Sequence, residues 1–124
     1  MPFTSEIDHQ RRRITVVGYD PVSLHDVLTL IGSQVTAGAW TYDVLHDARR
    51  VTWMPTTDEL QEIASHIQRL SRQHGRRGRI AFIAVGTTLV GMARMYEFLG
   101  EEIAPRAGVF YDPAAAEQWL QAGG

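Results

Sequence analysis

The chain has 124 residues, a length that a single hydrophobic core serves, and its 44% apolar and 21% charged residues describe a globular rather than a disordered polymer. The absence of cysteine excludes disulfide frameworks, zinc ribbons and thiol nucleophiles, and a formal charge of −2 gives no whole-molecule pull toward nucleic acid. No apolar run approaches the ~20 residues of a membrane span and the polar N-terminus is unlike a signal peptide, so the expectation is one soluble, cytoplasmic domain over residues 1–124 without an integral membrane segment.

Phe3 to His9 alternates weakly, Gln10-Arg11-Arg12 reads as a turn, and Arg13 to Gly18 is β-branched, which predicts an opening hairpin. The period then changes: Leu24, Val27, Leu28, Ile31 and Val35 form one helical stripe with Gly38 just beyond it. Two signals compete for the start of that helix, Asp20-Pro21 and the pair Ser23 and Asp26. Tyr42 to His46 reads as a short strand, and Asp47 to Pro55 as an irregular connector carrying Val51, Trp53 and Met54.

Thr56, with Glu59 three residues on, caps a second helix that ends at His74-Gly75 and buries Leu60, Ile63, Ala64, Ile67 and Leu70. Ile80 to Val85 is apolar throughout, the pattern of a parallel strand covered on both faces. Gly86-Thr87-Thr88 leads to a third helix over Leu89–Leu99, closed by Gly100, with Leu89, Met92, Ala93, Tyr96 and Leu99 on its buried stripe. Val109 to Tyr111 is a last strand, and Asp112-Pro113 opens a terminal helix containing Ala116, Trp119 and Leu120. The order predicts an α/β fold: a hairpin, then βα repeats, giving a five-stranded mixed, mostly parallel sheet and four main helices.

Four stretches then carry a family likeness: Val44-Leu45-His46-Asp47, Arg79 to Val85, Gly91-Met92-Ala93-Arg94-Met95-Tyr96-Glu97, and Val109-Phe110-Tyr111-Asp112 leading to Ala116-Glu117-Gln118-Trp119-Leu120. In this order, over nearly the whole chain, they resemble the SpoIIAA-like branch of the STAS superfamily, small and mostly uncharacterised bacterial proteins. The resemblance implies a SpoIIAA-like fold and a role through protein contact or ligand binding rather than catalysis. It also lays Thr56 on the position that a partner kinase phosphorylates in regulatory members. Pro55 and Asp58 depart from that pattern, and Thr56 has a sufficient reason to exist as a helix cap.

Motifs for catalysis are missing. There is no Gly-x-Ser-x-Gly elbow, and Gly86 to Gly91 keeps the spacing of a phosphate loop but has Met92 in place of its lysine. The five histidines lack the spacing that aims two ligands at one ion, so neither a metal nor a cofactor is expected. All twelve basic side chains are arginine, as codon bias in a GC-rich genome would produce. The cluster Arg69, Arg72, Arg76, Arg77 and Arg79 has no interleaved aromatics to stack bases and reads as a solvated helix end, with no nucleic-acid partner expected.

Ligands of open α/β sheets favour the carboxyl ends of the strands, which makes Tyr19, Asp20, Asp47, Arg49, Thr87, Thr88 and Tyr111 the candidate ligand rim. Trp53, Met54, Val90, Met95 and Phe98 form a second candidate set, an apolar pocket or interface. The leading expectation is a non-catalytic domain acting by contact with a protein partner or small ligand, as a homodimer. The alternative is a carrier of a lipid or other small apolar ligand, as the family's resemblance to lipid-exchange folds implies, with Met92 joining the apolar set.

Overall fold

The computed structural model describes residues 2–98 and 106–123, leaving aside the side chains of residues 96–98. Five strands, β1 (Phe3–Asp8), β2 (Arg13–Gly18), β3 (Asp43–Asp47), β4 (Ile80–Ile83) and β5 (Ala107–Phe110), form one sheet in sequential order. Four helices, α1 (Leu24–Thr36), α2 (Thr57–His74), α3 (Gly86–Phe98) and α4 (Pro113–Ala122), complete the α/β fold. β1 runs antiparallel to β2 and every later pairing is parallel, as the element order predicts.

The element boundaries shift where backbone geometry overrides local pattern. β3 starts one residue later than expected because Tyr42 is still in the turn, its N–H bonded to the Ala39 carbonyl. β4 ends at Ile83: the Ala84 N–H still reaches the Phe110 carbonyl, but Val85 turns out to solvent. β5 is centred earlier than predicted, over Ala107–Phe110, leaving Tyr111 beyond the strand and exposed. α3 begins at Gly86, a turn before Leu89, and Ala93 of its expected buried stripe is exposed. The expected stop at Leu99 and Gly100, and the burial of Tyr96, fall outside the described residues.

The competing starts of α1 resolve in favour of Ser23. Its hydroxyl accepts the Asp26 N–H, and the Asp26 carboxylate accepts the Ser23 N–H. α2 opens with the same reciprocal box between Thr56 and Glu59 and closes at Gly75, whose φ of 95° suits a residue without Cβ. Asp112 caps α4, with Pro113 in the first turn.

Right-handed crossovers between sequentially ordered parallel strands carry α1, α2 and α3 to the same face of the sheet. Among the described residues, α4 is the one helix on the other face, where Ala81, Ile83, Ala116 and Leu120 are buried together with Leu45, Phe110 and Trp119 against them. Small residues at Ala81 and Ala116 let helix and sheet approach closely, and Arg79 donates to the Trp119 and Leu120 carbonyls at the helix end. On the first face, Ile14, Val16, Val44 and Ile80 pack with Ala39 and Tyr42, which belong to the segment after α1.

A candidate apolar ligand cavity

Both carboxylates of the candidate carboxyl-end rim are already engaged by groups of the neighbouring loops. Asp20 accepts both the backbone N–H and the hydroxyl of Thr52, at 3.0 and 2.7 Å, tying the segment after β2 to the one after β3. These bonds, the hydroxyl's above all, hold the Asp20 carboxyl below its usual range. Asp47 receives Arg49 as a fork, Nε at 3.0 Å and Nη2 at 2.8 Å, and that contact is the main reason its pKa is lowered and that of Arg49 raised. Tyr19 lies under the Arg50 guanidinium, and Tyr111 and Thr87 are exposed. Of the seven rim residues, Thr88 alone borders the cavity described next. Thr56 is exposed, with its hydroxyl occupied as the cap of α2.

The apolar candidates divide differently. Trp53, Met54 and Met95 line a cavity of about 830 Å³ between the sheet and α1, α2 and α3, with Met92 beside them. Val90 points away from it and is 52% exposed, while the Phe98 side chain lies outside the described residues. The cavity explains a departure from the helical periodicity. Of the predicted inner stripe of α2, Leu60 alone is buried; Ile63, Ala64, Ile67 and Leu70 are only half-buried. In α1 the stripe is likewise incomplete, with Ile31 buried and Val27 and Leu28 half-buried. Val27, Ile31, Ile63 and Ile67 line the cavity on its helix side, and Leu30, also on its wall, packs against the sheet core.

The sheet side of the cavity carries Val44, Ile80, Phe82 and, between them, His46. Strand alternation puts His46 on the face of Val44, in register with Val16 and Phe82. Its ring stacks on Phe82 at 4.9 Å between centroids and meets Phe3 edge-on at 5.6 Å. Burial chiefly, with the positive charge of Arg77 adding to it against the opposing Asp47, pushes its pKa down to about 4. At neutral pH His46 is therefore an uncharged imidazole, one nitrogen a donor and the other an acceptor, on an otherwise apolar wall.

Polar groups gather at the opposite end, at the amino ends of the parallel strands. Gln34, Gln68 and Ser71 line the cavity there with Arg72, Arg76, Arg77 and Arg106. Arg77 is half-buried: its Nη2 donates to the Gln34 side chain at 3.1 Å, its guanidinium lies over the Trp40 ring, and its carbonyl accepts Arg106 Nε at 2.9 Å. The solvated reading holds for Arg69, which is exposed and pairs with His66. It fails for Arg77, which the short segment between α2 and β4 turns inward. Burial, with Arg76 and Arg79 nearby, lowers the pKa of Arg106 against the opposing pull of Asp43. No group of three or more His, Asp or Glu residues suited to a metal occurs among the described residues. None of the described helices is long and apolar enough to cross a membrane.

Of the apolar candidates Trp53, Met54 and Met95 reach this cavity; the polar residues at its other end were not among the candidates. The available signal for His46 was its place two residues from the core residue Val44 on a strand; the inward turn of Arg77 left no periodic trace. Comparison of the chain with known proteins gave no matching family model, no matching curated protein and no matching solved structure.

Proposed function

We propose that this protein is a non-catalytic carrier that holds a small apolar molecule between the sheet and the α1–α3 layer. The observation that carries the reading is the 830 Å³ cavity, inside the ~300–1,000 Å³ range of small-molecule sites and walled mainly by aliphatic, aromatic and methionine side chains. Methionines suit such a role, since Met54, Met92 and Met95 adapt their shape to an occupant without a fixed rotamer. An apolar space of this kind gives water few partners and gains free energy when an apolar guest fills it. His46 adds one donor and one acceptor to orient that guest. The resemblance to the SpoIIAA-like branch agrees with a binding rather than a catalytic role.

The test uses the neutral dye N-phenyl-1-naphthylamine, whose emission rises in apolar surroundings, and energy transfer from Trp53 on the cavity wall. Saturable enhancement with the wild-type protein, abolished by Ile67→Trp and kept by Val90→Glu, is the expected result. Absence of saturable binding, or indifference to Ile67→Trp in a variant that still folds by circular dichroism, would overturn the carrier.

In this reading the carrier works in the cytoplasm as a homodimer joined through the outward side of α3, where Val90 is 52% exposed. That exposure also favours a second reading, in which a protein partner uses the same side and the cavity stays empty. Native mass spectrometry separates the two by the presence or absence of a copurified guest.

A further inference from the structure

We infer that the occupant of the cavity is a single-chain amphiphile with a terminal anion, a carboxylate or phosphate seated against Arg72, Arg76 and Arg106, its chain running along the sheet toward Trp53. This rests on the carrier reading and specifies the class of its ligand. The cavity is polarised end to end. Arginines and amides sit at the amino ends of β4 and β5, aliphatic side chains line the middle, and Trp53, Met54 and Met92 lie at the carboxyl ends. The distance between those ends favours an extended guest, since the chain from Val44 along β3 to Ala48 just beyond it covers about 13 Å at ~3.3 Å per residue.

Charge points the same way. Among the described residues lining the cavity four are arginines and none is acidic, although the whole chain carries a net −2. Among the described residues, the acid that acts on Arg106 is Asp43, whose carboxylate is already bonded to the Arg79 N–H at 2.9 Å. Arg106 is held below its ordinary pKa by burial and by its cationic neighbours, so an anion arriving there relieves repulsion as well as forming bonds. Guanidinium forks match the two oxygens of a carboxylate or phosphate, which a point charge does not. Arg72 and Arg76 are exposed at the mouth and so meet an incoming head group first.

The experiment displaces bound N-phenyl-1-naphthylamine with dodecanoate, dodecyl phosphate and 1-dodecanol, using wild type, Arg72→Gln/Arg76→Gln and Arg50→Gln. Arg50 is exposed at the far end of the sheet and reports the general effect of losing a surface charge. We expect at least one anion to displace the dye at about tenfold or more lower concentration than the alcohol, as charge-assisted bonds require. The double variant should lose that advantage, read within each protein as the ratio of anion to alcohol displacement, and Arg50→Gln should keep it; a ratio kept by the double variant overturns the inference. Whichever anion competes better identifies the head group, and both results support the inference. Equal displacement by the alcohol and both anions overturns it and leaves the carrier standing. Equal loss in Arg50→Gln overturns it too, as an effect of bulk charge. A wild type that does not bind the dye at all removes the carrier and the inference together.

Discussion

His46 makes folding stability depend on pH in a defined window, and His46→Phe should erase that dependence. In the folded chain the imidazole titrates at about 4, against an ordinary 6.5. The unfolded state therefore binds a proton first as pH falls, and the contribution present above 6.5 is progressively lost down to about 4. The full difference amounts to about 3 kcal/mol, and about 2 kcal/mol of it is gone by roughly pH 5. For a chain of 124 residues that is on the order of 8 °C in melting temperature. Phenylalanine keeps the stack on Phe82 and the edge contact with Phe3 while removing the proton site. Urea unfolding of both proteins at closely spaced pH values between 7 and 5 gives the comparison. Wild type should lose about 2 kcal/mol more than the variant across that interval. His66, also lowered by burial, and the depressed carboxylates Asp20 and Asp47 are common to both proteins and cancel in the difference. Parallel stability curves would refute the placement of a neutral, desolvated His46 on the cavity wall.

Thr56→Ala removes the hydroxyl of the α2 capping box and should cost about 1 kcal/mol in thermal or urea unfolding while dye binding is retained, with Thr56→Ser near wild type. Leu120→Ala, at a residue 2% exposed on the inner side of α4, should cost about 2–5 kcal/mol. Ile63→Ala, which enlarges a space already open, should cost well under half of that and shift dye affinity instead; equal losses at the two sites would contradict the difference in packing between the two faces. If the proposed homodimer is joined through α3, Val90→Glu should lower the mass in light scattering to that of a monomer, and an unchanged mass would discard α3 as its contact.

Much of the fold could be read from periodicity and caps. The change from alternation in Arg13–Gly18 to a helical stripe from Leu24, and the boxes at Ser23 and Thr56, are local signals with local causes. They survive because tertiary packing agrees with them. What an apolar stripe meets is not a local property. Ile63 and Ile67 have the same sequence pattern whether they touch a sheet or line a void, so burial of that face was over-read. The pairings within the carboxyl-end rim were not legible for a related reason. Strand order brings Asp20, Asp47 and Arg49 to one edge, but Asp20 is taken up by Thr52 and Asp47 by Arg49, pairings that only the folded loops reveal. Trp53, Met54 and Met95 were legible because large apolar groups in a connector and beside a helix stripe need a partner. Arg77 was not, since an aperiodic segment says nothing about direction.

The strands follow one another across the sheet without ever doubling back, and this has an architectural consequence. A sheet whose order reverses midway deals its helices to both sides and closes both; here three helices are sent to a single side, where α1 and α2 lean on each other. Two members propped together form an arch, and an arch spans a vault without filling it. On the opposite side α4, seated on Ala81 and Ile83, serves as the footing that keeps the sheet true. Side chains on the vault's helix side that are not fully buried, such as Ile63 and Ile67, can therefore change in bulk while the masonry beneath stays the same.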